Sequence, residues 1–512
     1  MKKMAPLRQN IGYHTRMFSP TKGTAMIMNQ EQALLKAQVQ LNQLIESVHS
    51  AAAAAWRIHQ VERDLMAQLL DLGLTLLNLF IAHHGDGDLG TTAGTVDGRT
   101  VVQRLPQKHD RRYVAIFGEL TSPRVVYGTR EGQRIERAPL DESLGLPGGD
   151  FSYVIEDWAQ RFGLKGSFAE AAESLQTLLR LRLGVHTLER MSQEMAGSVV
   201  PFREAIEPPP AVDEGPILVV TADGKGIPMR RPPQEGPKPH HRRTKGEKAN
   251  KKQMACVGAV YSIKPFVRTP NDVLDEVLRD RCSDDRPEPT HKHVWAEMSR
   301  DIEGKPIGAK DAIFCALFQD LTLRNVGHDR PVVCVMDGER ALWEAQRVYF
   351  PEAVGILDLF HVMERLWTAA HCFHAEGSDD AEAFVADRLR GLLEGRVGYV
   401  IGGLRQRLAK HQLKGSRRKT LTSVITYLEN NREHLRYDEY LKAGYPIGSG
   451  VAEGACRHLV KDRLEQTGMR WTVSGAQAMR HLRATYLNDQ WDDFIEKRID
   501  CEQTRLYGKN AA

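Results

Sequence analysis

The stretch ILVVTADGKGIPM, residues 217–229, decides how this chain is read. It opens as an apolar, β-branched run, the composition of a buried strand, and then places an acid, Asp223, where a core strand would carry another valine. Asp-Gly is a common turn signal, and two apolar runs around it would make a hairpin. A carboxylate placed for chemistry needs partners, and the rest of the sequence supplies them. Asp337 ends the run VVCVM in PVVCVMDGERALWEA (331–345), and Asp358 ends the run AVGIL in AVGILDLFHVMERLW (353–367). Each reads as strand, acid, helix. Alternating strands and helices over 217–367 predict an α/β core, in which acids at neighbouring strand ends meet whatever their separation in sequence.

A further acid, Glu453, follows the flexible Gly-Ser-Gly of GYPIGSGVAEGACRHLVKDR and opens a helical stretch, where the macrodipole favours a negative charge. Asp223, Asp337 and Glu453 are the candidate catalytic and metal-binding set. Three converging carboxylates repel one another and call for cations, and an all-oxygen donor set suits two Mg²⁺ or Mn²⁺ ions rather than zinc. Asp358 is a rival ligand or an acid capping its own helix. His361 is a packed histidine or an accessory catalytic group. Lys225 is an accessory cation, near enough in sequence to reach a phosphate bound at the acids. Arg457 and Lys461, four and eight residues beyond Glu453, share its face on an α-helix and would touch phosphates or form a solvated ion-pair row. Trp471 packs or stacks on a base.

Around this core the chain divides by composition. Residues 1–28 read as a basic arm. Residues 29–205 read as a mainly helical N-terminal region containing a small β-hairpin at 112–130, turning at Ser-Pro, and a helix-turn-helix at about 167–196. There Thr187 and Arg190 begin a second helix suited to a major groove, the alternative being a plain helical hairpin. The proline-rich IEPPPAVDEGP (206–216) marks a boundary. Residues 206–371 form the first part of the core, 372–440 an all-α insertion, and 441–512 the part carrying Glu453. Between Met229 and Lys252 lie nine Lys/Arg against two Glu. Such a run is either solvated or an electrostatic footprint for a polyanion; Arg242, Arg243, Lys245, Lys251 and Lys252 are its candidate DNA contacts.

Global composition is less specific. With 512 residues, 27% charged and a net charge of +4, the chain is ordinary globular protein of two to four domains. Seven scattered cysteines without a Cys-x-x-Cys pair suggest reduced thiols and a cytosolic setting. The apolar stretch 65–84 is interrupted by Gln68, Asp71, Gly73 and Asn78, so we expect a buried helix and no membrane association.

The order TADGKG, VMDGERALW, LDLFHVMERLW, GYPIGSGVAEGACRHLVKDR and GMRW resembles the bacterial insertion-sequence transposases of the ISKra family, which are distantly similar to Mutator-like transposases. The resemblance covers about 215–495, and more loosely 55–200, where LDESLGLP (140–147) also matches. It implies a ribonuclease-H-like catalytic core, with Asp223, Asp337 and Glu453 as the DDE set and Asp358 and His361 as the Asp-x-x-His pattern. It further implies cleavage and strand transfer at terminal inverted repeats, double-stranded DNA as partner at element ends and target, a homodimer or higher oligomer, and a bacterial cytoplasm with the nucleoid as location. The rivals are another nuclease or resolvase on the same core, a general metal hydrolase, and a non-catalytic DNA-binding descendant of a transposase.

Overall fold

The computed structural model describes residues 25–26, 28–96, 100–129, 135–230, 252–279, 285–302, 304–466 and 468–508. It divides into two compact units, one formed by residues 1–156, 176–181 and 501–512, the other by 157–175 and 182–500.

The first unit starts with a short strand β1 (Ala25–Met26) and an antiparallel helical hairpin, α1 (Gln30–Ala53) and α2 (Ile58–His83). Asn29 caps α1 by accepting from the Gln32 amide at 2.8 Å. The seam between the helices uses small residues, with Ala33, Ala37 and Ala51 buried and Gln68 Nε2 donating to Ser47 Oγ at 3.0 Å. The expected buried helix is not found. By length and composition α2 could cross a membrane, but in its most apolar window only 22% is covered. Leu70 and Ile81 are buried and Phe117 packs on Gly73, while Met66, Leu69, Leu76 and Phe80 are about half exposed.

Strands β2 (Thr92–Val96), β3 (Thr100–Arg104), β4 (His109–Ala115), β5 (Gly118–Arg124) and β6 (Tyr127–Gly128) follow, in two three-stranded sheets ordered β1-β5-β4 and β2-β3-β6. The region is richer in strand than a single hairpin. The predicted hairpin exists as β4–β5, but it turns at Ile116–Phe117 rather than at Ser122-Pro123, which lies inside β5 opposite Arg111 and Asp110. Gly118, at φ 139°, closes the turn in a conformation that side chains resist. Phe117 fills the space above Gly73 of α2, where a Cβ would lie 2.5 Å from its ring. Helix α3 (Pro139–Leu144), from LDESLGLP, ends on a left-handed Gly145.

Helices α4 (Tyr153–Lys165), α5 (Phe168–Leu179), α6 (Val185–Ala196) and α7 (Val199–Ala205) lead to the second unit's sheet. Its strands are β7 (Ile217–Pro228), β8 (Lys252–Ile263), β9 (Thr290–Met298), β12 (Val332–Met336) and β13 (Val354–Leu357), in the order β13-β12-β7-β8-β9. A small ribbon, β10 (Arg300–Ile302) and β11 (Lys305–Ile307), stands apart. β7 pairs antiparallel with β8 and parallel with β12, and β12 pairs parallel with β13. The apolar runs are therefore central strands covered on both faces, with Ile217–Ala222 and Val333–Met336 buried.

Helices α8 (Pro270–Arg279), α9 (Ala309–Arg324), α10 (Arg340–Tyr349) and α11 (Leu359–Ala370) alternate with these strands, which makes the unit mixed α/β as expected. Between α11 and the Gly-Ser-Gly turn the described elements are all helical: α12 (Asp379–Leu393), α13 (Val397–Lys410), α14 (Gly415–Asn430), a 3₁₀ turn, and α15 (Tyr437–Ala443). After the turn come α16 (Gly450–Ala455), a π-helical stretch Cys456–Lys461, α17 (Asp462–Leu464), α18 (Val473–Leu487) and α19 (Trp491–Tyr507). Helix α18 packs on β9 and on α6, whose Leu188, Met191 and Met195 are buried.

Under α18 sits a buried acid that holds this layer together. Glu297 of β9 meets His481 Nε2 at 3.0 Å, Gln477 Nε2 at 2.6 Å and Arg300 Nη1 at 2.5 Å. Burial pushes its pKa up, but His481 and Arg300 outweigh burial and hold it at about 2. A depressed carboxylate contributes stability that is present above its unfolded value near 4.5 and is lost as pH falls toward 2. Glu297→Gln is therefore expected to cost about 3 kcal/mol at neutral pH, with the gap to wild type closing between those two pH values. Urea melts at a series of pH values measure this, and a pH-independent gap would refute it.

Candidate functional site

Three acids stand side by side on three parallel strands, two of which, β12 and β13, end there while β7 runs on. Ala222 of β7 pairs with Met336 of β12, and Met336 pairs with Leu357 of β13. The next residue on each strand is Asp223, Asp337 and Asp358. The strand–acid–helix pattern thus places its acids at one sheet end. β7 itself does not stop at Asp223 but continues to Pro228, so the Asp-Gly is no turn. Along it Asp223 and Lys225 share a face.

Asp337 sits in a tightly fixed loop. Its Oδ1 accepts from the Glu339 amide at 2.8 Å, and its carbonyl accepts from the Tyr427 hydroxyl of α14 at 2.7 Å. The chain escapes through Gly338 at φ 88°, where a Cβ would meet Leu357 at 2.7 Å and the Tyr427 hydroxyl at 3.0 Å. Burial and the neighbouring Asp223 both raise the Asp337 pKa, against the Glu339 amide.

Asp358 is fully buried and caps α11, accepting from the His361 amide at 3.0 Å through Oδ1, while Oδ2 accepts from the Ser449 amide. It therefore takes the capping role and joins α11 to the turn that carries Glu453. Burial would raise its pKa, but the bonds from His361 and Ser449 keep it below the ordinary value. His361 Nδ1 lies 3.4 Å from Asp358 Oδ1, an ion-pair distance without hydrogen-bond geometry, and this buried nitrogen has no hydrogen-bond partner among the described residues. Asp358 pushes the His361 pKa up to about 9.

Glu453, in the first turn of α16, comes to the same place. One ligand atom each from Asp358, His361 and Glu453 lie within 4.8 Å of one another, the spacing that can hold a metal ion. Burial, Asp358 and Asp223 raise the Glu453 pKa, while His361 opposes them. Asp223, Asp337, Asp358, His361 and Glu453 thus act on one another electrostatically. The tight metal-spaced group is Asp358–His361–Glu453, with Asp223 and Asp337 on the adjoining strands, rather than Asp223–Asp337–Glu453 alone. The raised pKa values of Asp337 and Glu453 and an oxygen-rich donor set fit a divalent cation.

The remaining expectations divide. Lys225 is half-buried near the acids, and its charge acts on the Cys456 thiol. Arg457 and Lys461 are exposed, but the segment carrying them is π-helical, so four- and eight-residue spacing no longer stacks them over Glu453. Arg457 instead lies 3.9 Å from Asp462. Lys252 opens β8 and pairs with Glu465 at 2.5 Å, which removes it from a free basic surface. Arg242, Arg243, Lys245 and Lys251 lie outside the described residues. Of the α6 pair, Thr187 is half-buried, and Arg190 is exposed and 3.6 Å from Glu194. Trp471 is buried, with Nε1 donating to the Leu464 carbonyl at 3.1 Å and Arg463 stacked on its ring, so it packs.

Two residues of the site carried no warning in the sequence. The Cys456 thiol donates to Asp223 Oδ2 at 3.3 Å, and Tyr427 reaches Asp337 from within the helical segment. Tyr427 also lies under Arg365, 4.9 Å from its ring centre. Beside the acids a groove of about 610 Å³ opens along Gly224, Ala255, Lys310 and Glu339. Toward the far end of α14, the successive Arg417, Arg418 and Lys419 are exposed. Among known proteins, no family model and no curated sequence matches this chain.

Proposed function

We propose that the chain is a DDE transposase with a ribonuclease-H-like catalytic core, which cleaves the terminal inverted repeats of an insertion sequence and joins them to target DNA. The observation that carries this reading is the meeting of acids on adjacent sheet strands with an acid from a late helix. Asp223 and Asp337 stand side by side on neighbouring parallel strands, and Glu453, beyond an all-helical excursion, is brought against Asp223, Asp358 and His361. The sheet order, three antiparallel strands followed by two parallel ones, supports the ribonuclease-H-like assignment.

Asp223, Asp337 and Glu453 would hold two Mg²⁺ or Mn²⁺ ions, with Asp358 fixing the frame. Such ions supply charge neutralisation and activate a water or a 3′-hydroxyl for in-line attack on phosphorus. Within the protein, Asp358 fixes the Ser449 turn, and hence Glu453, against α11. Tyr427 and Gly338 fix the Asp337 carbonyl and loop. Lys225 and cationic His361 offset negative charge where a phosphodiester would lie. In the first step water's oxygen bonds to phosphorus and the element's 3′-oxygen leaves, taking a proton. In the second, that 3′-hydroxyl attacks a target phosphodiester and frees a target 3′-hydroxyl.

The test is a labelled duplex carrying an element end, incubated with target plasmid. Cleavage and joined products are expected with Mg²⁺ or Mn²⁺, and Ca²⁺ is expected to support binding with little chemistry. Full cleavage in excess chelator would overturn the metal assignment. Cleavage without joined products would favour a nuclease or resolvase on the same core, and binding without either a non-catalytic descendant.

The basic segment is expected to contribute affinity rather than chemistry. Neutralising Arg242, Arg243, Lys245 and Lys251 should weaken duplex binding and flatten its log–log salt dependence by about 0.9 for each phosphate that the variant no longer neutralises. Neutralising Lys252, already paired with Glu465, should add little. An unchanged slope across the series would make the segment a solvated run.

A further inference from the structure

Against the segment Gly444–Gly448, which leads into the Ser449 turn, lies a cavity of about 60 Å³ between the end of β8, helix α8 and the start of α11. It shares no lining residue with the groove beside the acids. Its walls are largely apolar, with Phe266, Val273, Val277, Pro287, Leu359 and Ile447 among them. Its charged lining is three cations, Lys264, Arg268 and Arg286, against one acid, Glu276.

Arg268 stands out among these. Its side chain is only 9% exposed, yet its guanidinium is poorly satisfied. Nη1 lies 3.6 Å from one Glu276 oxygen, an ion pair too long for a good hydrogen bond, and the other Glu276 oxygen accepts from Arg286. Nη2 reaches the Tyr445 carbonyl at 3.5 Å, and the buried Nε has no hydrogen-bond partner among the described residues. Burial lowers the Arg268 pKa, and Glu276 does not make up the loss. A guanidinium sealed under protein with donors to spare is stabilised by an anion.

We propose that this cavity binds a short-chain monocarboxylate, with the carboxylate on Arg268 and the alkyl tail against Val273, Val277 and Ile447. Size selects the ligand. A water needs roughly 10–15 Å³ of such space, so the cavity holds about four or five non-hydrogen atoms, the size of acetate or propionate. The walls select the class. Inorganic phosphate has as many atoms, but it would press a second charge and four polar oxygens against apolar side chains. A planar carboxylate matches the guanidinium fork and leaves its tail to the valines.

Occupancy bears on the turn before Glu453, because one wall of the cavity is the approach to it. The Phe266 amide donates to the Gly444 carbonyl and the Leu359 amide to the Ile447 carbonyl, each at 2.9 Å. Phe360 lies against Gly448, where a Cβ would be 3.0 Å from its ring. A carboxylate filling the space beside this segment steadies it, and with it Ser449.

Calorimetric titration of propionate into the full chain is expected to show one saturable site per chain, with the neutral isostere propionamide at least about tenfold weaker. Arg268→Met should abolish binding. Val277 is half-buried and tolerates enlargement, so Val277→Phe should fill the cavity with Arg268 in place and abolish binding too. That variant decides the matter if Arg268→Met fails to fold. Amide deuterium exchange over residues 444–450 should slow when propionate is bound. A chain with no saturable propionate binding would overturn the proposal and leave the cavity to water. So would equal binding of propionamide, a folded Val277→Phe protein that binds as wild type does, or inorganic phosphate competing at similar affinity. Unchanged exchange over 444–450 would overturn the link to the Ser449 turn.

Discussion

Glu453→Gln is expected to lower DNA cleavage and strand joining at least about a thousandfold, equivalent to roughly 4 kcal/mol of transition-state stabilisation, while end-specific binding stays within a few-fold of wild type. The amide keeps the shape of the side chain in α16 but removes the charge that lies within metal-sharing distance of Asp358 and His361. Removing one negative charge also relieves repulsion toward DNA, so binding has no reason to fall. Glu465→Gln is the matched control. Glu465 ends the same run of helix, but its carboxylate is engaged by Lys252, and it should keep substantial activity. Separate gel-shift and cleavage assays on a labelled end duplex measure both. A Glu453→Gln protein that cuts at near wild-type rate would remove this residue from the site.

Asp358→Asn should behave differently, because Asp358 is a positioning group. Both of its oxygens accept backbone amides, from His361 and Ser449, and it is fully buried. An asparagine can satisfy one of these donors but presents its own N–H to the other. We expect a stability loss of about 2–4 kcal/mol and activity reduced about 10–100-fold through displacement of Glu453. The pH dependence has a defined sign. The Asp358 pKa is depressed in the folded protein, so its contribution is present above the unfolded carboxylate value and is lost as pH falls through the folded one. Wild type and variant should therefore converge in stability in acid. Denaturant melts paired with metal titration separate the roles. An Asp358→Asn protein of unchanged stability that neither binds metal nor cuts, beside an active Glu453→Gln, would make the site one of three aspartates.

The parts of this arrangement readable in the sequence are those set by local pattern. A β-branched run followed by an acid and a helical period locates Asp337 and Asp358 at strand ends, and the run before Asp223 places that acid level with them where the covered length of β7 stops although the strand continues to Pro228. The parts not readable depend on pairing between distant segments. Nothing near Asp358 indicates that Ser449 binds it, and nothing near Tyr427 points to Asp337. The π-helical stretch after Glu453 breaks the spacing rule that would have stacked Arg457 and Lys461, since that rule presumes an unbroken α-helix. The hairpin turn moved from Ser122-Pro123 because Gly118 tolerates the required φ and Phe117 has a seat over Gly73. The apolar stretch 65–84 looked like core by composition, yet composition does not say which elements will cover it.

The clasp made by Asp358 also sets how this protein tolerates change. Asp358 and Ser449 are 91 residues apart in sequence yet hydrogen-bonded, and beside them the Leu359 amide donates to the Ile447 carbonyl at 2.9 Å. The all-helical excursion from α12 to α15 therefore leaves and re-enters the sheet unit at a single pinned doorway. Closing a loop costs free energy that grows only logarithmically with its length, so chain length alone puts little strain on the acids, and what limits change in the excursion is its set of tethers to the sheet unit. Those tethers include the Tyr427 hydroxyl on the Asp337 carbonyl, the Tyr437 hydroxyl on the Leu357 carbonyl and the Trp343 indole on Asn431, and a replacement module would have to reproduce them to keep the acids in place.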